Sequence, residues 1–332
     1  MVRPPHRDDG LTVGLVAFLA KRLAGLVGVL LGMSLLIFGI VHILPGNVAY
    51  AILGEFATPA AVAQLEAKLG LNDPLPLQYW RWLSAMLHGD FGMSLVMSRP
   101  AAGLIVDALG RSALLAGFSF ALVAVGGIAL GLYAATHRGR TSDKVLALAQ
   151  FVLIAVPEFF WAILGVLFFA SWAHLLPATG YAPLHDGVAN WAAHLILPVL
   201  VLSFGLVAHV SRLTRSSMID VLDSRFVLAA RARGLPERRV LWKHALPNAL
   251  LPAITVLAID AGLLIGGIVV TETVFAYPGL GRLLVFAIER HDLPLLQVGM
   301  MVVTAVYAVA NLLAELLYAA LNPCIRVAGA TA

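Results

Sequence analysis

Charged residues and cysteine are scarce in this chain of 332 residues. Only 12% of the residues are Asp, Glu, Lys or Arg, whereas soluble proteins contain about 25%. So little charge excludes an intrinsically disordered chain, which needs few apolar residues and a high net charge. The single cysteine, Cys324, has no second cysteine to pair with, so the sequence excludes an internal disulfide and a small disulfide scaffold.

Apolar residues dominate what remains: they make up 61% of the sequence, and the mean hydropathy is +0.92. A soluble globule cannot bury so much apolar surface, so the composition indicates a polytopic membrane protein. A helix needs about 20 apolar residues to cross a bilayer, and six segments reach or approach this length. They are 23–44, 112–135, 145–173, 193–210, 249–275 and 293–321. We therefore expect an all-α integral membrane protein with six transmembrane helices.

Lysine and arginine predict the orientation of the chain, because cytoplasmic loops carry an excess of both. They are concentrated in residues 1–22, in the loop after the second segment, and in residues 212–243. Both termini and these loops are therefore expected on the cytoplasmic side. The predicted organisation is a cytoplasmic segment 1–22, a first span 23–44, an extracytoplasmic loop domain 45–111, a core of five spans 112–321 with a cytoplasmic loop 218–248, and a cytoplasmic tail 322–332. Because the basic residues lie in short loops and not on one soluble face, we expect no nucleic-acid partner.

Residues 45–111 have the composition of a small helical cap. Thr58 is suited to cap a helix that begins at Pro59, and Gly70 is suited to end it. A second short helix is expected from Pro76 to Leu87, and its aromatic residues are Tyr79, Trp80 and Trp82. These aromatics suit a ligand platform, but an interfacial belt or a small core explains them more simply.

Small residues four apart allow membrane helices to approach closely. Three such pairs occur, at Gly28/Gly32, Gly127/Gly131 and Gly262/Gly266. They indicate a packed helix bundle and nothing more specific.

The segment of residues 218–248, which we call the coupling loop, is too long for a simple connector and contains too many residues that begin or end helices. Residues 226–233 favour a helix, Gly234 stands where a glycine ends one, and Pro236 prevents its continuation and can begin the next. The pattern predicts a helix, a sharp break and a second helix, which suits a lever moved by a soluble partner. A solvated cytoplasmic loop is the alternative, which explains the arginines but not the Gly-Leu-Pro break.

The sequence of this loop resembles a known family. Residues 228–234 (LAARARG), followed after nine residues by residues 244–247 (HALP), are similar to the EAA loop of binding-protein-dependent ABC importer permeases. Nearly the whole chain resembles the first permease subunit of dipeptide, oligopeptide and nickel importers. Further shared motifs are residues 44–46 (LPG), 89–92 (GDFG), 156–157 (VP), 212–218 (RLTRSSM), 272–275 (ETVF), 277–282 (YPGLGR) and 317–323 (LYAALNP). Leu228 replaces the glutamate of the motif, so no role for a carboxylate is expected there.

The resemblance implies a division of labour among subunits. The residues that it assigns to coupling with an ATPase are Ala229, Ala230, Gly234, His244, Leu246 and Pro247. The sequence contains no G-x-x-x-x-G-K-S/T loop, so the chain cannot bind nucleotide phosphates by the usual P-loop. ATP and Mg²⁺ would be bound by two partner ATPase subunits, and this chain would bind no cofactor and catalyse no reaction.

The resemblance also implies further partners in a bacterial inner membrane. A paralogous second permease subunit would complete the pore within the lipid bilayer. An extracytoplasmic substrate-binding protein would deliver substrate to the outer face, for which the candidate contacts are Glu272, Pro278, Gly279 and Arg282.

Carboxylates inside a membrane are costly and often functional. Glu158 follows Pro157, whose missing N–H loosens a helix, and Asp260 lies in the middle of an apolar segment. The candidates for a substrate pathway are therefore Pro157, Glu158, Phe159 and Asp260, and the alternative for either carboxylate is a structural bond to a neighbouring helix. Glu272 and Glu315 lie near helix ends and suit interfacial or inter-subunit contacts. No HExxH pair occurs, so we expect no catalytic metal site.

The sequence thus favours a permease subunit of an ATP-driven importer for dipeptides or oligopeptides. Uptake of nickel or a metal chelate by the same machinery is the alternative. A proton-coupled secondary transporter would use Glu158 and Asp260, but it should show paired broken helices in matching halves, and no internal repeat is evident. An intramembrane hydrolase lacks the GxSxG or HExxH motif that would support it.

Overall fold

The computed structural model describes residues 8–43, 57–69 and 72–321, and these residues are almost entirely helical. The helices are α1 (Asp8–Ile43), α2 (Pro59–Leu69), α3 (Leu75–Leu87), α4 (Ala101–Thr136), α5 (Thr141–Ala155), α6 (Glu158–Gly165), α7 (Val188–Leu222), α8 (Arg225–Ala232), α9 (Glu237–Arg239), α10 (Leu246–Val274), α11 (Leu280–Glu289) and α12 (Leu293–Leu321). Wider π-helical turns follow α6 at Val166–Trp172 and α9 at Val240–Ala245, and a 3₁₀ turn spans Leu184–Asp186. No strand occurs in the described ranges, so the all-α class is confirmed.

Five helical stretches are long and apolar enough to cross a membrane: Ala20–Ile43, Ala101–Thr136, Val188–Leu222, Glu237–Val274 and Leu293–Leu316. The pair α5 and α6 supplies a sixth span if its two helices are taken together. The six apolar segments of the sequence therefore each have a helical counterpart.

The third of these segments, residues 145–173, differs from a single straight helix. The chain bends by 105° between α5 and α6. Val156, which precedes Pro157, has an extended conformation with ψ of 128°, because the proline ring excludes the helical region for the residue before it. Pro157 then becomes the residue before α6 and not a kink inside a longer helix.

Two helices also extend past the boundaries that hydropathy predicted. α4 begins at Ala101 and not near residue 112, so part of the expected loop domain 45–111 is helical continuation of a span. α7 continues to Leu222 and enters the coupling loop. Hydropathy marks only the part of a helix that suits hydrocarbon, whereas backbone hydrogen bonding continues through the polar residues beyond it.

The helices form two compact units, of which the larger comprises residues 1–22, 113–277 and 310–332. In this unit α4 and α7 pack closely at two glycines. A Cβ atom on Gly131 would lie 2.5 Å from the Thr214 Cβ and 2.6 Å from the Ser211 carbonyl oxygen, and one on Gly127 would lie 2.7 Å from the Val210 Cβ. The close approach predicted for this glycine pair is therefore confirmed. Within the described part of the chain, a Cβ on Gly28, Gly32 or Gly266 would meet no atom within 4 Å.

The second unit comprises residues 23–112 and 278–309. Its helix α3 packs on α1, where Tyr79 Oη and Ser34 Oγ lie 2.8 Å apart and the Phe38 and Tyr79 rings meet edge to face at 5.4 Å. The predicted short helix is thus present, and Tyr79 and Trp82 belong to a small aromatic core, while Trp80 is 67% exposed. α2 begins at Pro59 as predicted, with Thr58 Oγ1 accepting a hydrogen bond from the Ala61 N–H at 3.3 Å.

Asp292 holds a turn of this second unit against the start of α12. Its buried carboxylate accepts hydrogen bonds from the Ser94 hydroxyl and from the backbone N–H groups of Leu95 and Val96, at 3.2 and 3.3 Å for the two amides. It also lies 3.4 Å from the Leu295 amide nitrogen in the first turn of α12. One carboxylate therefore satisfies donors from two segments far apart in the sequence.

Some predicted features lie outside the described residues. They are the helix stop at Gly70, the motif at residues 44–46, part of the expected segment 1–22 and loop domain 45–111, and the tail 322–332.

Candidate coupling loop and intramembrane polar pairs

The coupling loop contains the helix, break and helix that its sequence predicts. α8 spans Arg225–Ala232, and Gly234 follows with a φ of +77°, a left-handed conformation that favours glycine. The Gly234 amide donates to the Arg231 carbonyl at 2.9 Å, and the Leu235 amide donates to the Ala230 carbonyl at 3.4 Å. These two bonds close the end of α8 and turn the chain sharply.

Pro236 precedes α9 and fixes the direction in which the second helix begins. α9 leads through the π-helical turn Val240–Ala245 directly into α10, so the second helix of the loop is continuous with a membrane span. Arg231 and Glu237 form an ion pair across the break, with Nη2 to Oε1 at 2.6 Å and Nε to Oε2 at 3.2 Å. Its hydrogen bond to Glu237 raises the pKa of Arg231. Both side chains are largely exposed, so the pair contributes little to stability.

The loop is seated on an apolar cluster. The cluster consists of buried residues from α4, α7, α8, the π-helical turn and α10, namely Ala135, Met218, Val227, Ala230, Val240, Ala245 and Ala249. Ser217 adds a hydrogen bond from its hydroxyl to the Ala249 carbonyl at 2.9 Å, which joins α7 to α10 beneath the loop. This packing holds the loop in a fixed position relative to α7 and α10.

The coupling loop also exposes three large apolar side chains among its charged residues. Phe226, Leu228 and Trp242 are 46%, 54% and 58% exposed. Pro236, Arg238 and Arg239 line a shallow cleft together with Trp242. We call Phe226, Leu228 and Trp242 the exposed apolar residues of the loop.

The six residues assigned to coupling differ in their exposure to solvent. Ala229, Gly234 and Pro247 are exposed, His244 and Leu246 are half-buried, and Ala230 is buried in the cluster. Phe226 and Trp242 were not among the candidates from the sequence. The sequence feature that could have identified them is a large apolar residue within an arginine-rich segment.

A buried ion pair anchors α5 to α7 close to the coupling loop in the sequence. Arg215 donates from Nε to Asp143 Oδ1 at 2.7 Å and from Nη2 to Oδ2 at 2.8 Å. Asp143 is 3% exposed and also accepts the Gly139 amide at 2.9 Å. Nearby, the exposed pair Arg138 and Asp223 is 3.1 Å apart.

Glu158, a candidate for the substrate pathway, bonds to α10. The Thr271 hydroxyl donates a hydrogen bond to the Glu158 carboxylate, which is half-buried at the first residue of α6. A Cβ atom on Gly267 would lie 2.7 Å from Glu158 Oε2, so the carboxylate lies directly against α10 at this glycine. Pro157 and Phe159 on either side of Glu158 are exposed.

Asp260, the other carboxylate, pairs with a histidine. His209 Nδ1 on α7 lies 3.1 Å from Asp260 Oδ1 on α10, and Asp260 is fully buried while the His209 side chain is 51% exposed. A second polar contact, from Gln150 Nε2 to Ser211 Oγ at 2.7 Å, joins α5 to α7. Both pathway carboxylates therefore make bonds to neighbouring helices, and their place in a substrate pathway stays a prediction.

The two other carboxylates near helix ends are also engaged within the chain. Glu315 forms an ion pair with Arg22, from Nε to Oε2 at 2.9 Å, which joins α12 to α1. Glu272 is fully buried. The interfacial or inter-subunit contacts expected of both carboxylates stay predictions.

Three more candidates for contact with a binding protein lie at the start of α11. Gly279 is buried and precedes the helix, Pro278 is half-buried and its carbonyl accepts a hydrogen bond from Arg111 Nη1 at 3.1 Å, and Arg282 is exposed. Glu272 offers no exposed surface in this conformation. Of the four candidates, Arg282 is therefore the most accessible to a partner.

Comparison with known proteins gives consistent similarities over most of the chain. Residues 127–327 match the family described as binding-protein-dependent transport system inner membrane component, and residues 15–106 match the model for the N-terminal part of such membrane components. A probable peptide ABC transporter permease of Sinorhizobium fredii is 37% identical over 93% of this chain and 99% of its own length.

Two further relatives show the same extent of similarity. A dipeptide transport system permease of Alkalihalophilus pseudofirmus is 34% identical over 94% of this chain and 100% of its own length. A glutathione transport system permease of Salmonella paratyphi A is 36% identical over 93% of this chain and 98% of its own length.

Proposed function

The chain belongs to the family of binding-protein-dependent transport system inner membrane components, and from this premise we propose that it conducts short peptides. It is a permease subunit of an ABC importer and a multi-pass membrane protein. The relatives described above are named for peptide, dipeptide and glutathione transport, and none of these three is named for nickel. Peptides are therefore the substrate class that the similarities favour.

Permeases of this family work with ATPase and substrate-binding partners. For this chain, we propose two ATPase subunits that bind ATP and Mg²⁺, a paralogous second permease subunit, and an extracytoplasmic binding protein. The chain itself binds no cofactor and catalyses no reaction in this proposal. Both termini and the coupling loop face the cytoplasm of a bacterium, and the spans lie in its inner membrane, as the distribution of lysine and arginine suggests.

One observation supports the coupling role most directly. The exposed apolar residues of the loop lie on a segment that packs on a buried cluster and is continuous with α10. Exposed large apolar side chains at the centre of an interface are the groups that contribute most to binding. In the proposed mechanism, an ATPase subunit binds the loop at Phe226, Leu228 and Trp242. The movement of that subunit is then transmitted through α9 into α10.

The proposed substrate pathway includes Pro157, Glu158, Phe159 and Asp260. The 105° bend at Pro157 places a half-buried carboxylate at the beginning of α6, and α10 contributes both Thr271 and Asp260. A movement of α10 driven from the coupling loop would change both polar pairs at once. On the opposite side of the membrane, Arg282 with Pro278 and Gly279 would contact the binding protein, with Glu272 acting from within the fold.

Two experiments test this function. Purification in mild detergent, followed by mass spectrometry, should recover a related permease and ATPase subunits together with this chain. The purified assembly in proteoliposomes, with ATP inside and binding protein outside, should accumulate a labelled dipeptide. Recovery of a homo-oligomer alone would contradict the assembly, and uptake of nickel without uptake of peptide would contradict the substrate class.

A further inference from the structure

A cavity of about 580 Å³ lies in the second unit, between α1, α3, the turn at residues 90–92 and the start of α12. This volume is within the range of small-molecule sites. The cavity has no role in the coupling loop or in the intramembrane polar pairs described above. Its lining includes the aromatic side chains of Phe38, Trp82 and Phe91 together with several polar groups.

Gln297 on α12 is the most informative of these polar groups. Its side chain lines the cavity and is 9% exposed, and it makes no hydrogen bond within the described part of the chain. Buried amides are nearly always hydrogen-bonded, because leaving one without a partner costs free energy. A side-chain amide carries N–H donors beside a carbonyl acceptor, so it can pair with the C=O and N–H groups of a peptide bond. Gln297 is therefore suited to a ligand that has an amide group.

The charge of the lining favours a cationic group on that ligand. Asp90 contributes a carboxylate to the lining, and its Oδ1 accepts the Gly92 amide at 3.0 Å. Arg81 also lines the cavity, but its guanidinium already donates to Asp73 Oδ2 at 2.8 Å, so its charge is matched. The carboxylate of Asp90 together with the aromatic faces attracts an ammonium group through charge and through the ring quadrupoles.

We propose that this cavity binds the amino-terminal end of a short peptide. The ammonium group lies near Asp90, the first peptide bond pairs with Gln297, and an apolar first side chain packs on Phe38 and Trp82. This inference rests on the proposed function, since it takes peptides as the substrate class. It adds a peptide site on the permease itself, distinct from the binding protein.

Equilibrium dialysis with the purified importer, without binding protein, tests the site directly. The probe is radiolabelled Phe-Ala with a free amino group, compared with N-acetyl-Phe-Ala. We expect saturable binding of Phe-Ala that weakens by about tenfold or more on acetylation and in Gln297→Leu, the effect of losing one well-made hydrogen bond to a buried or charged group. Asp90→Asn should weaken Phe-Ala but leave the acetylated peptide unchanged.

Matched controls are available in exposed positions of the same unit. Gln64→Leu and Asp107→Asn make the same chemical changes on exposed helix surfaces and should bind Phe-Ala as the unmodified importer does. Each variant is first checked for assembly with its ATPase subunits, so that a misfolded protein is not scored. Absence of saturable binding, equal binding of both peptides, or unchanged binding in Gln297→Leu would overturn the proposal.

Competition and uptake distinguish a peptide site from a lipid-headgroup site, and the cavity site from the transport function. If glycerophosphoethanolamine competes as strongly as Phe-Ala, the cavity recognises only the ammonium of a lipid headgroup, and the peptide assignment is wrong. If proteoliposomes with binding protein import Phe-Ala but the permease does not bind it, the proposed function stands and the cavity site fails. If neither uptake nor binding occurs while nickel is imported, the proposed function fails as well.

Discussion

Arg215 on α7 and Asp143 on α5 form a two-point ion pair, with Nε to Oδ1 at 2.7 Å and Nη2 to Oδ2 at 2.8 Å. The Asp143 side chain is 5% exposed and that of Arg215 is 31% exposed. Paired geometry of this kind fixes the relative orientation of both helices, because guanidinium and carboxylate planes must match.

Removing one partner of this pair should be strongly destabilising. Arg215→Ala leaves the buried carboxylate of Asp143 without its cation, and we expect a loss of about 3 kcal/mol. Arg138→Ala is the matched control, because its ion pair with Asp223 is exposed on both sides and should contribute less than about 1 kcal/mol. Thermal unfolding in detergent measures both. An equal decrease in melting temperature for the two variants would contradict a structural role for the buried pair.

Gly234 should be essential for the coupling of ATP hydrolysis to transport. Its φ of +77° is unfavourable for a β-branched residue by about 1–2 kcal/mol, so Gly234→Val should displace α9 relative to α8. We expect ATP hydrolysis to continue while peptide uptake per ATP falls by about tenfold. Gly103→Val, in a helical stretch with open space around the glycine, is the control. Normal coupling in Gly234→Val would refute the lever.

The contact between α4 and α7 at Gly131 predicts a contrast between two glycine substitutions. Gly131→Ala places a methyl group 2.6 Å from the backbone oxygen of Ser211, and overpacking of this kind costs about 1–3 kcal/mol. Gly266→Ala on α10 meets no atom within 4 Å in the described chain and should stabilise by up to about 1 kcal/mol through helix propensity. Melting temperatures should therefore shift in opposite directions, and shifts of the same sign would show that the helices are not in contact at Gly131.

The hydrogen bond from Thr271 to Glu158 should affect both stability and transport. Thr271→Val keeps the shape of the side chain but leaves the half-buried carboxylate without this donor, at a cost of about 1–3 kcal/mol. Thr273→Val is the matched control, since Thr273 is exposed and, among the described residues, its hydroxyl bonds only to the Val269 carbonyl one turn earlier. We expect a lower melting temperature and altered peptide uptake in Thr271→Val alone. Unchanged uptake in both variants would exclude this pair from the transport pathway.

Residues that begin or end helices were sufficient to predict several elements from the sequence. Thr58 before Pro59, the helix to Leu87 and the break at Gly234 each depend on residues within one or two turns of each other, and the structure has all three. Residues 228–234 were also sufficient to place the coupling loop between two helices. Backbone conformation at such sites is decided by adjacent residues, so a single sequence contains the information.

Contacts between distant residues could not be predicted in the same way. Asp143 and Arg215 are 72 positions apart, and each resembles an ordinary charge in a polar loop when only its neighbours in the sequence are considered. Pro157 was recognised as a disruption, but the bend of 105° depends on how α6 packs against α7 and α10. Phe226 and Trp242 were missed because hydropathy does not distinguish an apolar residue that faces the core from one that faces a partner.

The carboxylate of Asp292 also couples the hydrogen exchange of two backbone amides to the opening of the first turn of α12. The Leu95 and Val96 N–H groups are protected only while Asp292 keeps its position before α12. Deuterium should therefore enter both amides together with those of the first turn of α12, as one cooperative opening event and not as the independent fraying of a surface turn. A partner that binds the turn at residues 94–96 would therefore also slow deuterium exchange in the first turn of α12, although the two segments lie almost 200 residues apart in the sequence.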